Sequence, residues 1–153
     1  MLRLSKITGL TAVADGTGRR LGLVERAVLK QDGQDAEGLI LRMNGFLRRR
    51  RFVPYDSIVL WGEVTVAVTA AETLSRRVPR REDVVGRHVL DTSGERLGWV
   101  TDALLEEATG RVLALEVSGG YLDDLISGRT FVRDFTMRPN GVVAVTESAG
   151  GES

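Results

Sequence analysis

The sequence repeats itself at a spacing of 76 residues, and this repeat limits the possible folds more than any other feature. Across positions 9–29, nine residues are identical to the residue 76 positions later, where composition alone predicts roughly one or two. After a two-residue shift, residues 38–45 align with 112–119, and residues 66–69 are identical to 143–146. The chain of 153 residues is therefore a duplicated unit of about 70 residues rather than one enlarged domain.

The repeat also predicts the domain boundaries. We expect a first domain at 1–73, a basic linker at 74–81, a second domain at 82–147 and a flexible tail at 148–153. The net charge is zero, with 21 basic and 21 acidic residues, yet the first 75 residues carry 11 basic and 8 acidic side chains and the rest carry 10 and 13. This difference in sign favours contact between the units or between two copies of the chain, and a homodimer is possible.

Short apolar runs bounded by turn residues predict an all-β fold. Turns are expected at 15–18 and 91–94, where aspartate accepts from the backbone two residues on and glycine adopts a positive φ. Gly22 and Gly98 occupy the same place in the two copies and predict a bend where a small sheet curls on itself. Further strands are expected at 39–43, 52–53, 64–68, 112–117, 131–132 and 142–145, and single helical turns at 54–58 and 121–126. Five or six short strands per unit predict two tandem small β-barrels.

Both halves, and so nearly the whole chain, resemble PRC-barrel domains in tandem, and one stretch of the second copy carries the family's pattern. Residues 85–100 read Val-Gly-Arg-His-Val-Leu-Asp-Thr-Ser-Gly-Glu-Arg-Leu-Gly-Trp-Val, which is similar to the family's strand, Asp-x-x-Gly turn and Leu-Gly-x-Val strand. Phe52-Val53-Pro54 resembles the family's later step toward a final strand, whereas Arg133 replaces proline in the second copy and predicts a different turn. The resemblance implies a non-catalytic adaptor that docks on a larger assembly. Known members include the cytoplasmic domain of the photosynthetic reaction-centre H subunit and the C-terminal domain of the ribosome maturation factor.

The composition excludes several kinds of catalytic and metal site. Without cysteine the chain has no disulfides, thiolate metal sites or cysteine nucleophiles. Its single histidine, His88, excludes sites that need two imidazoles, and an alternating strand is typical of a structural or surface histidine. The acidic loop at 32–37 lacks the EF-hand spacing, and the glycines at 16–22 lack the spacing of a nucleotide-binding loop. We therefore expect no enzyme activity, no cofactor and no metal site.

A run of four arginines between two phenylalanines is the strongest candidate binding site in the sequence. Such a loop can bind phosphates with bases stacked on the aromatic rings, anionic lipid headgroups or an acidic protein. The simpler interpretation is a solvated hairpin whose phenylalanines lie in the core. The second copy carries an acidic pair in its corresponding loop region, so a basic loop facing the acidic loop of another chain would suit self-association. The predicted partner-binding residues are Arg48, Arg49, Arg50, Arg51, Asp123 and Asp124.

These observations predict a non-enzymatic protein-interaction or assembly adaptor. We expect it in the cytoplasm, because no apolar run approaches the roughly 20 residues needed to span a bilayer and no signal-peptide pattern is present. The alternative is an RNA-associated module, related in role to ribosome maturation, whose four arginines contact phosphates. Overall charge neutrality counts against this alternative, since RNA-binding domains usually carry a basic excess.

Overall fold

The computed structural model describes residues 1–47, 49–69, 74–119 and 130–144, and these residues are nearly all β. In the described part of the first half, six strands form one sheet in the order β5-β4-β3-β2-β7-β6. A short strand β1, a one-turn helix α1 and a 3-10 turn complete this half. The bounds are β1 Leu2–Arg3, α1 Leu4–Ile7, β2 Thr11–Ala14, β3 Arg20–Leu29, β4 Ala36–Met43, β5 Arg50–Pro54, the 3-10 turn Tyr55–Ser57, β6 Ile58–Trp61 and β7 Thr65–Val68.

The second half repeats this topology. Its described strands follow the order β11-β10-β9-β8-β13-β12, which matches the first sheet strand for strand. Each sheet contains one described parallel pair of strands, formed by β2 and β7 in the first sheet and by β8 and β13 in the second. The bounds are β8 His88–Leu90, β9 Arg96–Leu105, β10 Val112–Ser118, β11 Thr130–Val132, β12 Phe135–Arg138 and β13 Gly141–Ala144. The predicted all-β fold of two repeated units is confirmed.

The two predicted glycine bends lie at matching irregularities of the sheets. Gly22 pairs with Ala12 and Gly98 pairs with Val89, and in each pair of strands the register shifts at the next step. At both glycines a Cβ atom would overlap a carbonyl oxygen of the neighbouring strand, of Arg42 and Ser118 respectively. Glycine is therefore required here because another backbone approaches closely, and only Gly98 also has a positive φ, of 155°.

The predicted hairpin turns form in both copies, with different side-chain support. In the second copy, Asp91 Oδ1 accepts from the Ser93 backbone N–H at 2.9 Å, the Ser93 hydroxyl at 2.6 Å and the Glu95 N–H at 2.8 Å. The Ser93 hydroxyl is the main reason that the pKa of Asp91 lies below its usual value. In the first copy the prediction of an aspartate acceptor is wrong: the hydroxyl of Thr17, rather than the carboxylate of Asp15, accepts, from the Arg19 N–H at 3.2 Å.

The structure adds elements that the sequence pattern did not predict. These are β1 and α1 at the start of the chain and the edge strands β6 and β12. The predicted turn after Pro54 is present as a 3-10 turn, whereas the step through Arg133 leads directly from β11 to β12, so the two turns do differ. The turn predicted at 121–126 and the tail at 148–153 lie outside the described residues.

Two hairpin turns join the halves through a nearly symmetric pair of backbone hydrogen bonds. The Ala36 N–H donates to the Gly110 carbonyl at 2.7 Å, and the Val112 N–H donates to the Gln34 carbonyl at 2.9 Å. The repeat of 76 residues relates position 34 to position 110 and position 36 to position 112. The two hydrogen bonds are therefore related by a local pseudo-two-fold axis. Buried side chains from both halves, including Leu39 of β4 and Leu115 of β10, belong to one hydrophobic cluster.

The segment that precedes each repeated unit lies against the sheet of the other unit. At the start of the chain, β1 pairs with β9, with Leu2 opposite Leu105. Between the units, Ser75 exchanges two backbone hydrogen bonds with Phe52 of β5, at 2.8 and 2.9 Å. Val78 then packs on a second small cluster of the first sheet that includes Phe52 and Ile40. The two halves are therefore interlocked by exchanged segments as well as by the hairpin turns.

We expect Gly22→Ala to lower the free energy of unfolding by about 1–3 kcal/mol, because the methyl group meets backbone that cannot easily move. Gly16→Ala is the matched control: Gly16 has a φ of 89° but open space around its Cα, so only the left-handed backbone is penalised, by about 1 kcal/mol. Urea denaturation measures both values. Equal or smaller destabilisation by Gly22→Ala would contradict the close strand approach.

Candidate interaction surface

The predicted arginine run lies on one hairpin, built from β4 and β5. Arg50 and Arg51 begin β5, opposite Arg42 and Leu41 of β4, and the Met43 N–H donates to the Arg49 carbonyl at 2.7 Å to close the loop. Successive side chains of β5 lie on opposite faces of the sheet, so Phe52 and Val53 belong to different hydrophobic clusters. Phe52 is 8% exposed and packs on the second face of the sheet, and Val53 is fully buried in the main core.

The arginines of this hairpin do not act as one equivalent set. Glu25 of β3 accepts from Arg42 at 2.8 Å and from Nε of Arg50 at 3.0 Å, so these two arginines share one carboxylate across three strands. Arg51 donates to the carbonyl of Arg50 at 2.8 Å. Arg49 is exposed and has no ion pair with any described residue. The charge available to a partner is therefore concentrated at the tip, on Arg49 and Arg51.

The tip of the hairpin also presents apolar side chains to solvent. Phe46 is 98% exposed and Leu47 is 62% exposed. The expectation that both flanking phenylalanines lie in the core is correct for Phe52 and wrong for Phe46, because Phe46 falls in a loop that extends beyond the last strand pair. A surface cavity of about 410 Å³ lies between these apolar side chains, Met43 and the guanidinium groups of Arg49 and Arg51. We call residues 44–47 together with Arg49 and Arg51 the arginine tip.

Three of the predicted site residues lie outside the described part of the chain. They are Arg48, Asp123 and Asp124. The predicted pairing of a basic loop with an acidic loop of another chain therefore stays a prediction. The remaining three, Arg49, Arg50 and Arg51, lie on the β4–β5 hairpin, and their role in binding a partner stays a prediction.

The structure also contains a buried polar cluster that sequence reasoning missed. Asp102 of β9 and Glu116 of β10 lie directly opposite each other in the sheet, 4% and 7% exposed. Arg3 of β1 donates to both carboxylates, at 3.4 Å to Asp102 and 3.1 Å to Glu116. The hydrogen bond to Glu116 raises the pKa of Arg3 above its usual value, so the guanidinium stays charged between the two acids. The Ser5 hydroxyl donates to Asp102 at 2.6 Å.

This cluster explains why the N-terminal segment lies on the second unit. Two carboxylates side by side in a sheet repel each other, and one arginine between them provides an opposite charge and the donors that they need. The strand registers keep the 76-residue spacing here, so the two-residue shift expected from the sequence is wrong for these strands: Asp102 and Glu116 are equivalent to Arg26 and Ile40, which also lie opposite each other. Charged residues in the middle of otherwise apolar strands indicate that another segment covers that face, although they do not say which segment.

Comparison with known families agrees with the repeated topology. The family model of the PRC-barrel domain matches residues 1–73 and, separately, residues 79–145. The chain is a tandem PRC-barrel protein. A search of curated proteins found no match. The resemblance seen in the sequence is confirmed, and both PRC-barrel domains contribute to the interlocked core.

The described parts of the PRC-barrel domains contain no group of three or more histidine and acidic side chains arranged to hold a metal ion. Within the same residues, no helix is long and apolar enough to cross a membrane. His88 is exposed on β8, opposite Trp99 of β9.

We expect Asp102→Asn to lower the free energy of unfolding of the tandem PRC-barrel protein by about 1–3 kcal/mol. If the new amide nitrogen replaces Oδ2, the Ser5 hydroxyl and Arg3 lose their acceptor; if it replaces Oδ1, the backbone N–H groups of Ser5 and Ala103 lose theirs. Asp134→Asn, at an exposed position in the same domain, is the control and should stay within about 0.5 kcal/mol of wild type. Urea denaturation measures both. Equal stability of the two variants would mean that the buried cluster does not hold the N-terminal segment.

Proposed function

We propose that this protein is a non-enzymatic interaction module that binds an acidic protein partner through the arginine tip. The observation that carries the proposal is the exposure of Phe46, 98% of whose surface is open to solvent beside two guanidinium groups. Exposed aromatic and arginine side chains are the residue types most enriched among the strongest contacts of protein interfaces. We expect the protein to act in the cytoplasm.

The charges around the tip favour an acidic partner. Arg49 and Arg51 line the cavity together with Phe46 and Leu47, and none of the described residues of its lining carries a carboxylate. A partner that places an apolar side chain in this cavity and carboxylates at its rim would bury Phe46 and pair with both arginines. The PRC-barrel family supports this type of role, since its domains serve as docking modules in larger assemblies.

RNA binding is the second candidate, because an exposed aromatic ring beside arginines also suits base stacking. Two features favour protein binding over RNA binding. The chain as a whole has no net charge. Arg50 is paired with Glu25, which reduces the number of arginines that can bind phosphates. Salt dependence and nuclease treatment separate the two candidates.

The test compares wild type with Phe46→Asp in affinity capture from native lysate, with proteins identified by mass spectrometry. Val64→Asp is the matched control, because Val64 is 73% exposed in the same domain but lies in a different hairpin. We expect a partner that is retained by wild type and by Val64→Asp, even after ribonuclease treatment, and is lost with Phe46→Asp. Removing a central aromatic anchor costs about 2 kcal/mol or more, roughly a 30-fold loss of affinity.

Two results would contradict the proposal. Equal capture by wild type and Phe46→Asp would show that the arginine tip is not the docking surface. Loss of the captured proteins after ribonuclease treatment would show that RNA bridges them to this protein and would favour RNA binding. Direct RNA binding that weakens steeply with salt would establish that function.

A further inference from the structure

A basic cleft lies between the two PRC-barrel domains, on a part of the surface that shares no residue with the arginine tip. Its volume is about 460 Å³, within the range of pockets that hold small ligands. The walls come from the end of β3, from the linker and the residues just before β8, and from the end of β12, so both domains and the segment between them contribute. The cationic residues of its lining are Lys30, Arg80, Arg81, Arg87 and Arg138.

The lining of this cleft contains more cationic side chains than are paired with carboxylates of the protein. Among the residues of the lining, Glu82 is the single carboxylate, and its oxygen lies 3.8 Å from the guanidinium of Arg87. Arg81 is paired with Glu37 at 3.3 Å. Within the described residues, the side chains of Lys30, Arg80 and Arg138 form no ion pair. Three cations therefore face one cavity with their charge available to a bound anion.

Part of the cleft is held in place before any ligand arrives. Arg87 donates to the Arg138 carbonyl at 2.6 Å, and its side chain is only 19% exposed. This contact orders the backbone that carries Arg138. The floor is apolar: Leu29 and Val84 of the lining are 8% and 4% exposed and belong to the main hydrophobic cluster. A site with fixed donors and an apolar floor loses less entropy on binding than a mobile surface patch.

We propose that this cleft binds a small phosphate-bearing molecule with at least two negative charges and an apolar or planar group, such as a nucleoside diphosphate. The phosphates contact Arg80, Arg138 and Lys30, because arginine presents paired donors that match phosphate oxygens. The planar group lies on the floor formed by Leu29, Val84 and Met137. Since Lys30 belongs to the first domain and Arg138 to the second, the bound anion connects the two domains.

Isothermal titration calorimetry of the full-length protein with ADP and, separately, with inorganic pyrophosphate tests this site. We expect both to bind, ADP more tightly, and binding of both to weaken as sodium chloride is raised. Arg80→Ala combined with Arg138→Ala should weaken ADP binding at least tenfold. Arg19→Ala combined with Arg96→Ala is the control, since it removes the same charge from exposed positions outside the cleft and should change the affinity less than twofold.

Three outcomes would overturn the proposal. One is the absence of binding of either probe to wild type at millimolar concentration. Another is an equal loss of affinity in the two double variants, which would indicate general attraction by net charge. The third is pyrophosphate binding as tight as that of ADP, which would remove the role of the apolar floor. Thermal unfolding in the absence of ligand verifies that both variants are folded, and ADP should raise the melting temperature of wild type and of the control only.

Discussion

The paired backbone hydrogen bonds between the two β-hairpin turns, from Ala36 to Gly110 and from Val112 to Gln34, determine how the rest of the structure is arranged. They place the two repeated units about a pseudo-two-fold axis and join their buried faces into one hydrophobic cluster. A unit of about 70 residues buries little apolar surface alone, so this shared core is a physical reason for the duplication to persist in one chain. Tyr55 reinforces the junction: its hydroxyl donates to the Glu107 carbonyl at 2.8 Å, and burial raises its pKa above the usual value.

The same arrangement separates the surfaces available for binding. The arginine tip lies at the far end of the β4–β5 hairpin, beyond its last strand pair, and within the described part of the chain Phe46 is 98% exposed. The basic cleft exists only because the linker lies between the two domains. A partner at the tip would contact one domain, whereas an anion in the cleft would contact both. The two proposals therefore make different demands on the structure: the first needs one intact hairpin, and the second needs the assembled pair.

Much of the fold could be predicted from the sequence because its signals are local and occur twice. The Asp91 turn and the apolar pattern of the long strands depend on residues close together in the chain, and the glycines at 22 and 98 recur at the same place in both copies. The contacts that were missed are non-local. Nothing near Leu2 indicates pairing with Leu105, and the carboxylate that binds Arg50 lies 25 positions away on another strand. For the candidate site, residue type predicted the location of the arginine hairpin, but only the structure shows that Phe46 is exposed while Phe52 is buried.

The interlocked core has one direct test, because each domain contains a single tryptophan: Trp61 in the first and Trp99 in the second. Trp61→Phe and Trp99→Phe each leave one fluorescent reporter, and urea unfolding can then be followed separately in each domain. If the hairpin turns and exchanged segments make the two domains one cooperative unit, the reporter signal and the far-ultraviolet circular dichroism of each variant will follow one transition with the same midpoint. In either variant, a tryptophan transition separated from the circular dichroism transition would show that the domains unfold independently and would contradict a shared core.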